Sequence, residues 1–450
     1  MKWIRFVCMI AAASLCITTS KGQQAPPNLP SDPRYKVDIL IIVGHPDDDI
    51  EVAAYIAKLI EEEHKRVAVV YGTRGNSGGN AVGWEQGKAL ADVREMEARH
   101  SIASYGITDA WFLKNGLDSP GGDVLRSLEI WGHGQSLEEV VRLVRLTRPE
   151  VILTWMPGYV VGENHEDHQA ACVLATEAFD MAGDPLVFPE QLTAPRQRLG
   201  INNYGEGLRA WQPKKIYFFS DATDLDLPKG KGPEYKTTDV SPSKKIPYSE
   251  IAAKAWGFYK TQNDFTDAQL KAFAEAPIRL IRGKSLVGGS VTGDIFEGIN
   301  ATPIPFTPSV SRDPKNRQPA FELGGPWSFY RMFAVAHNLT EMQNFYAPEA
   351  QVAPGGTDTL WVPLLVRNDT NAEETVTIQA KLPKGWTQKP DETTYVVGPH
   401  DAYPIQLTIK PNNDAEKGSW QNLSWTATAG GQQLGTVTLK VQVVSNGLPQ

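Results

Sequence analysis

Val37-Asp38-Ile39-Leu40-Ile41-Ile42-Val43-Gly44, followed at once by His45-Pro46-Asp47-Asp48, is the stretch on which the reading of this chain turns. The first part is an almost unbroken apolar, β-branched run, the pattern of a central parallel strand covered on both faces. In open α/β sheets, ligand sites form just beyond the carboxyl ends of such strands. Here that end carries an imidazole and adjacent carboxylates. A second polar knot, His165-Glu166-Asp167-His168, begins 120 residues after His45. Histidines and acids in two short clusters suit a catalytic zinc with an open coordination position.

Outward from this run, strands alternate with helices. Val67 to Tyr71, Ala110 to Leu113, Val151 to Trp155 and Lys215 to Phe219 read as further strands. Residues 50–63, 85–104 and 137–147 carry apolar positions at helical spacing. Residues 37–280 therefore read as one domain, a Rossmann-like, mostly parallel sheet with helices on both faces. Within it, residues 183–213 and 221–248 are proline-bearing and aperiodic, and long loops of this kind often form functional rims. Residues 281–344 read as an irregular connecting region. From 345 to 450 the pattern changes to period two, as in Glu374-Thr375-Val376-Thr377-Ile378, with turn residues such as Gly430-Gly431 between runs. That predicts an all-β, immunoglobulin-like sandwich.

The chain has 450 residues, enough for two or three domains. Residues 1–22 read as a signal peptide: Lys2 and Arg5 form the charged start, and Phe6 to Ile17 an apolar stretch too short to span a bilayer. Residues 23–36 read as a flexible leader. The expected location is thus exported, periplasmic or extracellular, with no integral membrane segment once the signal is removed. Cys16 is a candidate lipid anchor, although Leu15 before it fits such processing poorly. Signal removal leaves Cys172 as the one cysteine, so no internal disulfide is expected, and its apolar helical setting marks it as core. The remaining chain has 41 basic and 52 acidic residues, which argues against nucleic acid as the partner.

His45 and Asp48 lie close enough on one loop to reach a common ion, and His168 supplies a third ligand from the start of another helix. Three ligands leave a position for water, whose pKa the metal lowers. Asp47 then stands ready to take that water's proton, while His165 faces the same cleft and can stabilise an oxyanion or protonate a leaving group. Taken singly, Asp47 and Asp48 read more readily as caps of the helix near Ile50, and His165 and Asp167 can be read as a polar helix start. The two motifs together favour metal chemistry.

These motifs resemble the PIG-L (LmbE-like) family of zinc-dependent deacetylases, which act on N-acetylglucosamine-type sugars. Its His-Pro-Asp-Asp motif stands as His45 to Asp48, and its His-x-Asp-His motif as His165 to His168. Gly72-Thr73-Arg74-Gly75 resembles its Thr-Arg-Gly loop, and Arg94-Glu95-Met96-Glu97 its Arg-x-x-Glu helix. The resemblance implies zinc, or another divalent transition metal, on His45, Asp48 and His168. It implies Asp47 as general base, His165 as stabiliser of the tetrahedral intermediate and Arg74 near the substrate. Arg94 and Glu97 read as a bracing i, i+3 ion pair or as substrate contacts. Three departures stand out. Asp49 follows the Asp pair. Lys114-Asn115-Gly116 occupies the place of a sugar-contacting aspartate, which makes Asn115 the substrate-binding candidate there. Phe258-Tyr259-Lys260-Thr261-Gln262 replaces a His before a Ser-Gln pair.

Weaker signals complete the reading. Gly72 to Gly79 lacks the spacing of a nucleotide loop. His133 reads as a solvated loop histidine. Trp155 and Tyr159, just before the second knot, are candidates to line the cleft, and Trp84 and Tyr204 are further aromatic candidates. The expected activity is removal of an acetyl group from an N-acetylated sugar or glycoconjugate. The competing readings are an amidase for a larger N-acyl group or sugar–thiol conjugate, and a non-catalytic carbohydrate-binding protein with a structural metal.

Overall fold

The computed structural model describes residues 31–158, 164–192, 208–220, 229–310, 319–342, 349–353 and 359–444. Strands and helices alternate through β1 (Ile39–Val43), α1 (Ile50–Glu63), β2 (Val67–Tyr71), α2 (Gly87–Ser104) and β3 (Asp109–Phe112). They continue through α3 (Val124–Ile130), α4 (His133–Thr147), β4 (Val151–Trp155), α5 (Glu166–Met181) and β5 (Lys215–Phe219). After a two-residue ribbon strand β6 (Glu234–Tyr235) come α6 (Tyr248–Trp256), α7 (Asp267–Ala274), β7 (Ile278–Arg279) and β8 (Ile281–Ser285). The main sheet runs β3-β2-β1-β4-β5-β8, with five parallel strands and β8 antiparallel at the edge.

β1 is central because it has no polar face to offer water. Leu40 and Ile42 enter one core with side chains of α3, α4 and α5. Ile39, Ile41 and Val43 enter the other with side chains of α1, α2 and α6. Every residue of the strand is buried, as its β-branched run requires.

Among the described residues of 281–344, expected as an irregular connection, three elements pack. β8 closes the main sheet. β9 (Phe321–Leu323) pairs with the first long strand of the β-rich region, and α8 (Pro326–Ala336) follows it. Tyr330, Phe333, Leu339 and Met342 belong to the core shared with α3, α4 and α5, while Trp327 packs on the β-rich core. The remaining strands are β10 (Glu349–Val352), β11 (Leu360–Asn368), β12 (Glu374–Lys381), β13 (Thr387–Lys389), β14 (Thr394–Val397), β15 (Asp401–Lys410), β16 (Trp420–Ala429) and β17 (Gln432–Val443). They form two sheets, β10-β17-β16-β12-β14 and β13-β15-β11-β9, around Val362, Leu364, Trp425 and Leu439. Alternating burial along β11 matches the period-two pattern read from sequence.

Candidate functional site

The chain leaves β1 for β2 on one side and later enters β4 on the other. The crevice at that reversal is where ligands bind in such sheets. His45 follows β1, and His165 and His168 arrive after β4 on the first turn of α5, so both polar knots meet at the reversal. The fit is close: a Cβ on Gly44 would lie 3.1 Å from His168 Cδ2 and 3.3 Å from the Asp167 backbone.

Asp48 is buried and fully engaged. Its Oδ2 accepts from the backbone N–H of Gly44 (2.8 Å) and His45 (2.9 Å) and from Trp155 Nε1 (2.7 Å). Its Oδ1 stands 3.1 Å from His168 Nε2 and 4.0 Å from His45 Nδ1. Trp155 stacks flat on the His168 ring, centroids 4.1 Å apart. The His45 and His165 rings lie 5.0 Å apart, and those of His165 and His168 4.1 Å. His165 caps α5, its Nδ1 accepting from Asp167 N–H. In the neutral ring this leaves the proton on Nε2 as a donor.

Two acids that the sequence reading had not placed complete the centre. Asp167 Oδ2 is 3.2 Å from His45 Nε2 and accepts from Ser119 N–H (2.8 Å). Asp118 Oδ1 is 3.9 Å from the same nitrogen, and its Oδ2 accepts from Ser77 N–H (2.6 Å). Burial disfavours charge on His45, but the Asp167 hydrogen bond and the charges of Asp48, Asp118 and Asp167 outweigh it and raise the imidazole to about 10. Burial alone would raise Asp48 too, yet His168 and His45 hold it well below the ordinary carboxylate range. Burial and the neighbouring His168 and His45 rings push His165 down, so it stands neutral.

The donor set fits a divalent cation. Asp48 Oδ1 faces His168 Nε2 and the His45 ring, and His45, Asp118 and Asp167 bring their ligand atoms within 4.8 Å of one another. Asp118 Oδ1, Asp167 Oδ1 and His168 Nδ1 are buried without hydrogen-bond partners. Buried polar atoms are normally satisfied. Orphaned carboxylate oxygens among imidazoles are what a cation site leaves, and nitrogen and oxygen donors without thiolates suit zinc.

Asp47 carries a backbone φ of 120°, a sparsely populated conformation for a residue with a side chain, worth roughly 1–3 kcal/mol of strain. Asp48 turns its Oδ2 back to Gly44, His45 and Trp155 rather than onto the helix start. The capping position of α1 belongs to Asp49, whose side chain makes no capping bond. Asp49 is instead fully buried and accepts from the hydroxyls of Tyr71, Tyr105 and Tyr259.

The expected substrate contacts fall out differently. Arg74 is held by α2, its Nε on Glu95 (2.7 Å) and its guanidinium on Asp92 (2.6 Å). Asn115 is exposed, its amide 3.5 Å from Gln135, and Asp118, three residues on, takes the place beside His45. Trp155 is 2% exposed, so it has no open ring face for a sugar and serves to orient Asp48. Tyr159 and Tyr204 lie outside the described residues. Arg94 and Glu97 bind two loops rather than each other. Arg94 donates to the carbonyls of Gly75, Ser77 and Gly79, and Glu97 accepts from both the N–H and the hydroxyl of Thr261. Gln262 donates to the Pro46 carbonyl, so the departing 258–262 segment clamps the His45 loop. The aspartates had one signal in the sequence: Asp167 lies inside the second knot.

Fold and centre together define an α/β domain with a His/Asp cluster at the strand reversal whose atoms could hold a metal ion. Residues 40–179, which enclose that cluster, carry a PIG-L family domain and match the family described as GlcNAc-PI de-N-acetylase. One relative is a 1D-myo-inositol 2-acetamido-2-deoxy-alpha-D-glucopyranoside deacetylase of Catenulispora acidiphila, 25% identical over 186 residues, 38% of this chain. The chain spans little more than half of that relative's length, 57%. The like-named Streptomyces scabiei enzyme is 27% identical over 308 residues, 60% of this chain and 93% of that protein. Among solved structures, the chain is similar to N,N'-diacetylchitobiose deacetylase from Pyrococcus horikoshii, with 18% identity and a TM-score of 0.39 over 54% of this chain and 82% of that one.

Proposed function

We propose that this chain is an exported, zinc-dependent hydrolase that removes the acetyl group from an N-acetylated amino sugar or glycoconjugate. The observation that carries the reading is the His45–Asp48–His168 contact set, with Asp48 and His168 buried, beside the strained Asp47 and inside the span matched by the family. The relatives named above are deacetylases of an acetamido sugar, which supports the same bond. Export rests on the charged and apolar start, Lys2 to Ile17.

His45, Asp48 and His168 are the residues to hold zinc. When bound, it supplies Lewis-acid polarisation of the acetyl carbonyl and a water acidified toward neutral pH. Asp47 accepts the proton of the attacking water. His165 donates from Nε2 to the developing oxyanion. The proton on Asp47 then passes to the departing nitrogen, releasing acetate and a free amine. Asp118, beside His45 and fixed by the Ser77 N–H, adds negative charge next to that imidazole.

The test is acetate release from N-acetylglucosamine mono- and oligosaccharides by the purified full chain, with and without added zinc. Metal-dependent acetate from any of them is the expected result. One metal per chain and no acetate would turn the assignment toward a larger N-acyl or sugar–thiol amide, or toward a binding protein.

A further inference from the structure

Asp49 is not explained by metal binding or by helix capping. Its Oδ1 accepts from Tyr71 (2.8 Å) and Tyr259 (2.6 Å), and its Oδ2 from Tyr105 (2.5 Å). The three hydroxyls come from the end of β2, the C-terminus of α2 and the turn after α6. A buried carboxylate held by hydroxyls rather than a cation is costly, and an apolar side chain of like size would serve packing better. Its value lies in what it fixes. Asp48 takes three N–H donors on one oxygen and Asp49 takes three hydroxyls. Six hydrogen bonds thus pin the two residues that follow Asp47, and Asp47 itself carries the positive φ. Strain of this kind persists where the surroundings over-determine the backbone.

We propose that Asp49, gripped by Tyr71, Tyr105 and Tyr259, is a positioning residue that holds Asp47 in its strained conformation and so aims the base at the reacting centre. The inference rests on the hydrolase reading for Asp47's role. It also makes a structural claim that stands without activity: release of the grip lets Asp47 relax to negative φ.

The experiment combines both readouts on the zinc-loaded full chain. In crystals of Asp49→Asn and of Tyr105→Phe, Asp47 is expected to leave positive φ in at least the first. In acetate release, Asp49→Asn is expected to lower kcat by about 10- to 100-fold at unchanged KM and zinc content, the range a misplaced group produces. In an Asp47→Ala background the same change is expected to cost nothing further, because non-additivity marks residues acting through one another. Multiplying losses, or a fall that tracks lost zinc or raised KM, would overturn the proposal in favour of a general brace. Should Asp49→Asn not fold, the three single Tyr→Phe variants decide, and unchanged kcat and unchanged Asp47 φ in all three overturns it. A wild-type chain that releases no acetate sinks the hydrolase reading alone, since the φ measurement still decides the grip.

Discussion

The two oxygens of Asp48 do different things. Oδ2 is saturated by three N–H groups, which leaves Oδ1 aimed at His168 and His45. Trp155→Phe removes one of those donors without emptying the core, and frees the carboxylate to rotate. Zinc affinity is expected to fall by about 10- to 100-fold in chelator competition, the usual cost of losing a group that orients a ligand. Asp47→Asn, by contrast, is expected to keep one zinc per chain and lower kcat by about 10²- to 10⁴-fold, the contribution of a general base. Metal analysis beside the acetate assay separates the two variants. Of these residues, His45, Asp48 and His168 were legible because their spacing after two strands is itself the signal. Asp118 was not. It sits in an aperiodic loop, and the Ser77 N–H and Asn76 side chain, some forty positions away, hold it beside His45. Trp155 was seen as a residue of the cleft, but its burial follows from β4 lying between β1 and β5, which one strand's pattern does not reveal.

Between elements, one arginine does the work of a hinge pin. Arg94 on α2 draws in three carbonyls of the glycine-rich loop and reaches Thr261. Arg94→Met leaves those carbonyls unsatisfied, and about 2–4 kcal/mol of stability is expected to go, measured by urea unfolding. Across the opposite face, His133 at the start of α4 meets Glu177 of α5 at 2.6 Å. The Glu177 hydrogen bond raises the His133 imidazole in the folded chain. Its contribution is therefore fully present below the unfolded value of about 6.5 and fades as pH rises through the raised folded value. His133→Gln is expected to lower Tm by ~2 °C at pH 6 and by progressively less as pH rises, small because the pair is part-exposed. Strand and helix alternation was readable at this scale, since period and length separate the two states. β8 was not: Ile281-Arg282-Gly283-Lys284-Ser285 has no clean alternation, and it joins the sheet only because β5 offers an open edge.

For the molecule as a whole, α8 is the element that refuses a simple division into domains. Tyr330, Phe333, Leu339 and Met342 complete the core behind α5, while β9 just before them belongs to the β-rich sheet. Four such side chains contribute about 6–12 kcal/mol at roughly 1.5–3 kcal/mol each, comparable with the ~5–15 kcal/mol stability of a typical domain. A chain ended at residue 286 is therefore expected to be insoluble or protease-sensitive, whereas one ended within the last strands should keep a protected α/β core in limited proteolysis. The same arrangement sets a clock on synthesis. The sheet through Phe219 leaves the ribosome more than a hundred residues before Met342 does. At about 5–20 residues per second that is on the order of ten seconds in which the α5 side of the nascent core stands open, a window suited to a holding chaperone.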